Sequence, residues 1–330
     1  MERDDKNMKE CLLEVKDLTK AYEVSQNTGK LFSKKKKRYA VNQMSFSIYE
    51  GETYGLVGES GCGKSTTGRM IMGLIKADSG SILYRGQELC QLTEKEFRPL
   101  RKELQMVFQN SLSALNPRNR IGKILEEILK IHGEHNERQR KEKVIEILRQ
   151  VGLSEEYYFR FPHELSGGQV QRLGIASALM IEPKLIICDE PVSALDVSIQ
   201  AQLLNMLFAL QRERNLSYLF ISHDMGVVRY ISDRIGVMYL GSLVEEAKTE
   251  ELFENPLHPY TRELLAAVPD LYMKKKGLLE RKEEISIHTE EMRGCSFVSR
   301  CQYAKERCYE EKPEFREKIN GHKVACHEID

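Results

Sequence analysis

The sequence predicts an α/β protein: a mainly parallel sheet with helices on both faces, a helical insert and a short cysteine-rich tail. Three observations lead there. "KLIICDE" and "LSYLFISHD" are short apolar runs flanked by helical patterns, the mark of parallel strands covered on both sides. The segment from about Ser111 to Leu165 carries apolar residues at helical spacing with dense charge opposite, as in "IGKILEEILKIHG" and "ERQRKEKVIEILRQVGL". The strand-like "TYGLV" passes through a glycine-rich loop directly into a helical pattern.

The remaining elements follow in order. "LLEVKDLTKAY" and "MSFSIYEGETYGLVG" alternate like strands, the second broken by the turn at Glu50-Gly51. Between them "SQNTGKLFSKKKKRYA" is polar and basic and reads as a long loop. Its run Lys34 to Arg38 is either a lipid-contact or targeting patch or simply a solvated loop. Ser65 to Ile75 is helical, "SGSILYRGQEL" returns to strand and turn, and "RIGVMYLGSLVEE" adds two strands. After "NPLHPYTRELLAAVP" the composition turns charged and loop-like. The expected division is residues 1–255 as one domain, with its helical subdomain at about 111–165, and 256–330 as an extension.

Bulk properties narrow the class. Among 330 residues, 50 basic and 50 acidic side chains cancel, so no global charge points to nucleic acid. The N-terminal "MERDDKNMKE" is too charged for a signal peptide, and no apolar run approaches the roughly 18 residues a membrane span needs. The expectation is a cytosolic chain whose thiols stay reduced, which disfavours a disulfide framework in the tail.

"GESGCGKST" fits G-x-x-x-x-G-K-[ST] between a strand and a helix. Gly58, Ser60, Gly61, Cys62, Gly63, Lys64, Ser65 and Thr66 form a nest of backbone N–H groups at a helix N-terminus, suited to phosphate. Lys64 is expected on the β- and γ-phosphates and Ser65 on Mg²⁺. Cys62 is either a redox-sensitive thiol or a tolerated small side chain. "LIICDEP" brings Asp189 to the end of a strand, where it can hold Mg²⁺, and sets Glu190 to activate water. His223 in "FISHD" ends the next strand and is a γ-phosphate contact or a structural histidine. "HELSGGQVQR" supplies a second anion nest, which one nucleotide in one subunit does not need.

At this point the chain resembles the ATP-binding subunits of ABC transporters over essentially its whole length. "GESGCGKST", "VFQNSLSALNPR", "LSGGQVQR", "LIICDE", "SALD" and "ISHD" stand in that family's order. The resemblance implies a P-loop NTPase core of RecA type with antiparallel and helical subdomains. It also implies a head-to-tail dimer with ATP between the P-loop of one subunit and the signature of the other. Gln109 is then the residue sensing Mg²⁺ and the γ-phosphate. Ser166, Gly167, Gly168 and Gln169 face the partner's ATP, and Asp196 communicates across the dimer. Tyr22 is expected to stack on adenine, with Tyr39 as the second choice. Val170 departs from the polar residue usual there and is expected to matter little. Intact Glu190 and signature argue against a degenerate site.

The tail places Cys295, Cys301, Cys308 and Cys326 at C-x5-C-x6-C-x17-C. Zinc sites usually use closer pairs, and these gaps suit an iron–sulfur cluster at least as well. "NPLHPYTRELLAAVP" with this tail resembles the oligopeptide, dipeptide and nickel importers, and "GESGCGKSTTGR" resembles their second ATPase subunit. That resemblance implies a structural 4Fe-4S cluster, with zinc or free thiols as alternatives. His322 and His327 are substitute ligands or, more simply, exposed histidines. Cys11, Cys90 and Cys188 are expected to be inert.

The expected function is an ATPase that energises import of di- or oligopeptides, or of nickel or a metal chelate, from the cytosolic face of a membrane. Its implied partners are a homologous second ATPase, two transmembrane permease subunits and an extracytoplasmic binding protein. The region "NSLSALNPRNRIGKILEEIL" is the expected contact with the permeases. A non-transport ABC ATPase is disfavoured, because no long coiled coil separates Lys64 from Ser166 and only one cassette is present.

Overall fold

The computed structural model describes residues 10–25, 35–268, 293–319 and 321–329. In chain order these form β1 (Cys11–Ser25), β2 (Lys35–Tyr49), β3 (Thr53–Val57), α1 (Lys64–Ile71), β4 (Ser79–Tyr84), β5 (Gln87–Glu88), α2 (Glu94–Phe97) and β6 (Leu104–Val107). Next come α3 (Ile121–Ile131), α4 (Glu137–Gln150), α5 (Gly167–Leu179), β7 (Leu185–Asp189), α6 (Val197–Arg214), β8 (Ser217–Ser222) and α7 (Met225–Ile231). The remainder is β9 (Arg234–Tyr239), β10 (Ser242–Lys248), α8 (Thr249–Glu254), α9 (Pro259–Ala266), α10 (Glu306–Glu310), β11 (Arg316–Ile319) and β12 (His322–Val324).

Two interleaved units divide the chain. The first is built mainly from Leu92–Ile221 with Tyr49–Glu52, and the second from Cys11–Ile48, Thr53–Gln91 and Ser222–Asp330.

In the first unit β7 lies between β6 and β8, parallel to both, in register Leu104↔Leu185 and Leu185↔Ser217. Every residue of β7 is buried. That is why "LIICD" is apolar to its last position, where a carboxylate appears. Leu173, Ile175, Ala176 and Leu179 of α5 join this core, as do Leu203, Leu207 and Leu210 of α6. The insert folds as helices, as its periodicity predicts. Asn136 caps α4 by accepting the Gln139 N–H at 3.2 Å. Gly122 lets α3 approach Tyr158, because a Cβ there would sit 2.5 Å from the tyrosine ring.

In the second unit β3 runs parallel to β9, β9 pairs antiparallel with β10, and β12 and β11 extend that edge in antiparallel fashion. A separate antiparallel sheet has the order β2-β1-β4-β5. Of the long loop expected from Ser25 to Ala40, both ends are strand, and residues 26–34 lie outside the described residues. Strand β1 continues to Ser25 and β2 already begins at Lys35. β2 is an edge strand, where basic side chains are compatible with pairing on one side only. Of the basic run, Lys34 lies outside the described residues and Lys37 is exposed on β2. The charged stretch 269–292 also lies outside the described residues.

Candidate functional site

The glycine-rich loop leaves β3 and enters α1 through positions only glycine can occupy. A Cβ on Gly58 would lie 2.1 Å from the Met238 carbonyl oxygen, and one on Gly63, at φ +114°, 1.9 Å from that of Ala40. Gly61, at φ +80°, instead faces open space, with nothing within 4 Å of its added Cβ. Lys64 is buried, and its ammonium donates to the carbonyls of Gly58 at 2.6 Å and Glu59 at 3.0 Å. Ser60 and Gly61 are exposed, and Ser65 and Thr66 half-buried, at the mouth of this loop. Cys62 is buried and its thiol pKa is raised by burial, although Lys64 opposes the shift. Burial and the raised pKa are in keeping with the inert alternative of the two expected.

Two tyrosines were candidates for stacking. Tyr22 is exposed on β1 with the Lys20 ammonium 5.7 Å from its ring centre. Tyr39 lines a cavity of about 1490 Å³ together with Gly61 and Cys62. His223 is exposed just after β8, where the next residue, Asp224, caps α7 through the N–H groups of Gly226 and Val227.

The same unit contains the tail. Cys295, Cys301, Cys308 and Cys326 are all half-buried and unpaired by disulfides. They lie within electrostatic reach of one another: Cys308, Cys326 and Cys301 all act on Cys295, whose thiol burial pushes up to about 11. Backbone N–H groups face three of the sulfurs: Phe297 for Cys295, Tyr303 for Cys301 and Glu328 for Cys326. Among the described residues no group of three His, Cys, Asp or Glu side chains is close enough to hold one metal ion. Neither the expected cluster nor its zinc alternative is thus supported by a metal-holding group among the described residues.

The histidines flanking Cys326 separate in role. His322 is not exposed: it is 1% accessible, and its Nε2 meets Glu245 Oε1 at 2.8 Å. Glu245, wholly buried, also accepts the N–H groups of Leu257 at 2.6 Å and His258 at 2.9 Å. A buried carboxylate needs such partners, and the chain far downstream supplies one. His327 Nε2 is 3.0 Å from the Glu311 carbonyl. Elsewhere Cys188 and Cys90 have thiols raised by burial to about 12 and about 11, in keeping with inert roles.

In the first unit Asp189 is buried at the end of β7. Glu190 then takes a left-handed backbone, φ +49°, uncommon for a residue with a Cβ, and its N–H donates to Ile221 O at 2.9 Å. Gln109 meets it: Nε2 donates to Glu190 Oε2 at 2.9 Å. A third residue, not anticipated, completes the group. Gln171 is buried, donates to the Gln109 carbonyl at 2.9 Å and accepts from Ser111 Oγ at 2.8 Å. The signal was present, two residues beyond Gln169 on the same helix, but a polar residue in that position reads as surface.

Ser166 precedes α5, and Gln169 folds back to accept its N–H at 2.9 Å while donating to Tyr157 Oη at 2.7 Å. Ser166 and Gly167 are exposed. Gly168 is buried, where a Cβ would sit 2.6 Å from Ile199. Val170 is buried in the helix core, so its apolar character suits its place. Asp196 is exposed at the start of α6, its carbonyl accepting from Ile199 and Gln200 at 2.9 Å each.

The comparisons agree with this set of motifs. Residues 41–193 match the model for ABC transporters, and 244–308 match that for the C-terminal region of oligopeptide/dipeptide transporters. The chain is 49% identical over 325 residues to the oligopeptide transport ATP-binding protein AppF of Bacillus subtilis, covering 96% of this chain and 97% of that protein. The chain belongs to the ABC-transporter ATP-binding proteins of oligopeptide type.

Other relatives of this ATP-binding type include OppF of Haemophilus influenzae, 47% identical with 97% of this chain and 98% of that protein covered. Another is the di/tripeptide transport protein DppF of Pseudomonas aeruginosa, 46% identical with 96% and 98% covered. Among solved structures, the dimeric ATP-binding cassette MJ0796 in a post-hydrolysis state with ADP and phosphate matches at TM-score 0.64 and 29% identity. It covers 72% of this chain and 99% of its own. The ATP-binding subunit described here accordingly has the ABC ATPase fold, and its activity is ATP hydrolysis coupled to transport. Among the described residues no helix is long and apolar enough to cross a membrane.

Proposed function

We propose that this subunit powers import of di- and oligopeptides, working at the cytoplasmic face of a membrane through two separate permease subunits. A binding protein outside the membrane delivers the cargo, and the dimer partner is a homologous ATPase. One observation carries the reading: near-complete coverage of peptide-transport relatives in which both the cassette and the peptide-transporter tail match.

The assigned roles follow from chemistry. Gly58, Ser60, Gly61, Cys62, Gly63, Lys64, Ser65 and Thr66 cradle the phosphates, and the open side of Gly61 is the feature that suits them to it. Ser65, Gln109 and Asp189 are assigned to Mg²⁺, which would supply charge neutralisation at the phosphates. Glu190 is the general base, oriented by Gln109, and His223 is assigned to the γ-phosphate. Ser166, Gly167, Gly168 and Gln169 serve the ATP of the partner subunit, and Tyr22 the adenine.

Cys295, Cys301, Cys308 and Cys326 are assigned to a 4Fe-4S cluster. The four thiols would hold such a cluster as thiolates, and their mutual electrostatic influence supports the grouping. The facing N–H groups would steady thiolate ligands. The group's part here is structural, stapling a tail too small to bury a core of its own.

Uptake tests the function. A strain lacking this subunit should lose import of labelled di- and oligopeptides, regained with the wild-type chain but not with Glu190→Gln. Loss of nickel uptake with peptide uptake intact would instead assign a metal cargo. Anaerobic purification tests the tail: about four irons and four sulfides per chain are expected.

A further inference from the structure

Glu59, the second residue of the phosphate-type loop, is held at every polar group it owns. Its N–H donates to Tyr260 Oη at 3.0 Å, and its carbonyl accepts from Lys64 Nζ at 3.0 Å. Its carboxylate accepts both oxygens' worth of contact from one guanidinium: Arg300 Nη1 lies 3.0 Å from Oε1 and 3.2 Å from Oε2. The other arm of Arg300, Nη2, donates to Glu263 of α9 at 2.9 Å.

Arg300 stands immediately before Cys301, in the turn that the cysteine tail builds. The N–H groups of Arg300 and Cys301 both donate to Phe297 O, at 3.1 and 3.0 Å, and the Cys295 N–H donates to Cys308 O at 2.8 Å. Phe297 is 1% accessible and packs with Tyr239, Tyr260 and His258 at ring separations of 5.2, 5.5 and 5.6 Å. The guanidinium lies over the rings of Phe297, Tyr239 and Tyr260 at 5.5, 5.7 and 5.9 Å. An aromatic shelf of this kind fixes a planar cation in one place.

A loop that takes a polyphosphate is a poor place for a free carboxylate. Glu59 puts one there, and like charge opposes the ligand. We propose that Arg300 is a positioning residue for the nucleotide: it neutralises Glu59, holds it away from the phosphates and so makes the binding loop depend on the cysteine tail. The proposal rests on the assignment of Gly58–Thr66 to phosphate. Arg300 itself touches no substrate. Its effect runs through Glu59, and the grip of Tyr260 on the same residue fixes the backbone that Lys64 also contacts.

The test is equilibrium binding of Mg-ATP and Mg-ADP to the full chain, at low and high salt. Arg300→Met should weaken ATP binding about tenfold, weaken ADP less because it carries less charge, and lose part of the defect at high salt. Glu59→Gln in the same chain should restore ATP binding to within about threefold of wild type, since the charge needing neutralisation is gone. Arg300→Lys, which keeps the cation and loses the fork, should fall between and remains informative if the Met variant does not fold. Unchanged ATP affinity in the Lys and Met variants overturns the proposal. So does a defect that Glu59→Gln fails to rescue, or one equal for ATP and ADP. Lys64→Ala separates the underlying assignment: undiminished ATP binding there would refute the phosphate site itself and not the role of Arg300.

Discussion

Gln109 Nε2 donates to Glu190 Oε2 at 2.9 Å, joining the side chain assigned to sensing phosphate to the one assigned to activating water. The bond fixes the direction of a carboxylate whose backbone is already held in a left-handed conformation. A group placed at such local cost is a sound candidate for chemistry, since strain of this kind collects at functional sites.

Glu190→Gln should lower the rate of phosphate release by about 10² to 10⁴, the range a general base contributes, while ATP binding stays within about threefold. Gln is nearly isosteric and leaves the Ile221 contact of the backbone untouched. Steady-state turnover and equilibrium binding on one preparation decide the matter. Turnover near wild type would remove Glu190 from the mechanism.

Gln171 ties the helix that begins with the signature to the carbonyl of Gln109. Gln171→Leu removes the donor to the part-buried Gln109 carbonyl and one of the two acceptors of Ser111 Oγ, the other being Phe108 O at 3.0 Å, so a loss of about 1 kcal/mol is expected in denaturant unfolding. Gln171→Glu keeps an acceptor for Ser111 but replaces the donor with a carboxylate that is costly to bury and faces the Gln109 carbonyl oxygen. If Glu190 is oriented through this chain of contacts, both variants should slow turnover while still folded. Equal retention of rate in both variants would make Gln171 a packing residue.

Two glycines of one loop should respond differently to the same added methyl. At Gly61 nothing is in the way, and only the positive φ is penalised, by about 1–2 kcal/mol; ATP binding should weaken because the open side is the one assigned to phosphate. At Gly63 the Cβ meets the backbone oxygen of Ala40 at 1.9 Å, so Gly63→Ala should destabilise by on the order of 3 kcal/mol or more. Urea unfolding of the two variants, read beside ATP binding, checks both. Equal stability would mean that the loop relaxes freely.

Much of this was legible because local pattern and tertiary role coincide. The five buried residues of β7 are apolar until Asp189, so strand and ligand are read from the same letters. The loop glycines are visible for the same reason. Lys35 to Arg38 misled, because an edge strand tolerates the charges that otherwise signal a loop. His322 and Arg300 were beyond reach for a different reason. Their partners Glu245 and Glu59 lie 77 and 241 residues away, and no periodicity encodes a contact at that separation. Gln171 was hidden by its type: a buried glutamine looks like surface until both of its partners are known.

His258 gives the second unit a signature in pH. Burial lowers its pKa from 6.5 to about 4; Glu245 opposes that shift and Arg262 adds to it. Its Nδ1 accepts the Tyr260 N–H at 3.1 Å, so the neutral form caps α9. In the unfolded chain the imidazole takes a proton near 6.5, and in the folded chain only near 4. Between those values the unfolded state binds more protons, so stability is full above about pH 6.5 and falls as pH drops toward 4. The loss reaches about 2 kcal/mol by pH 5. His258→Asn keeps an acceptor for the Tyr260 N–H and removes the titration. It should be less stable than wild type at pH 7, where packing against Phe297 is lost, yet show a shallower decline between pH 7 and pH 5 in urea unfolding. Parallel slopes for the two proteins would mean that His258 is protonated, or accessible, in the folded chain.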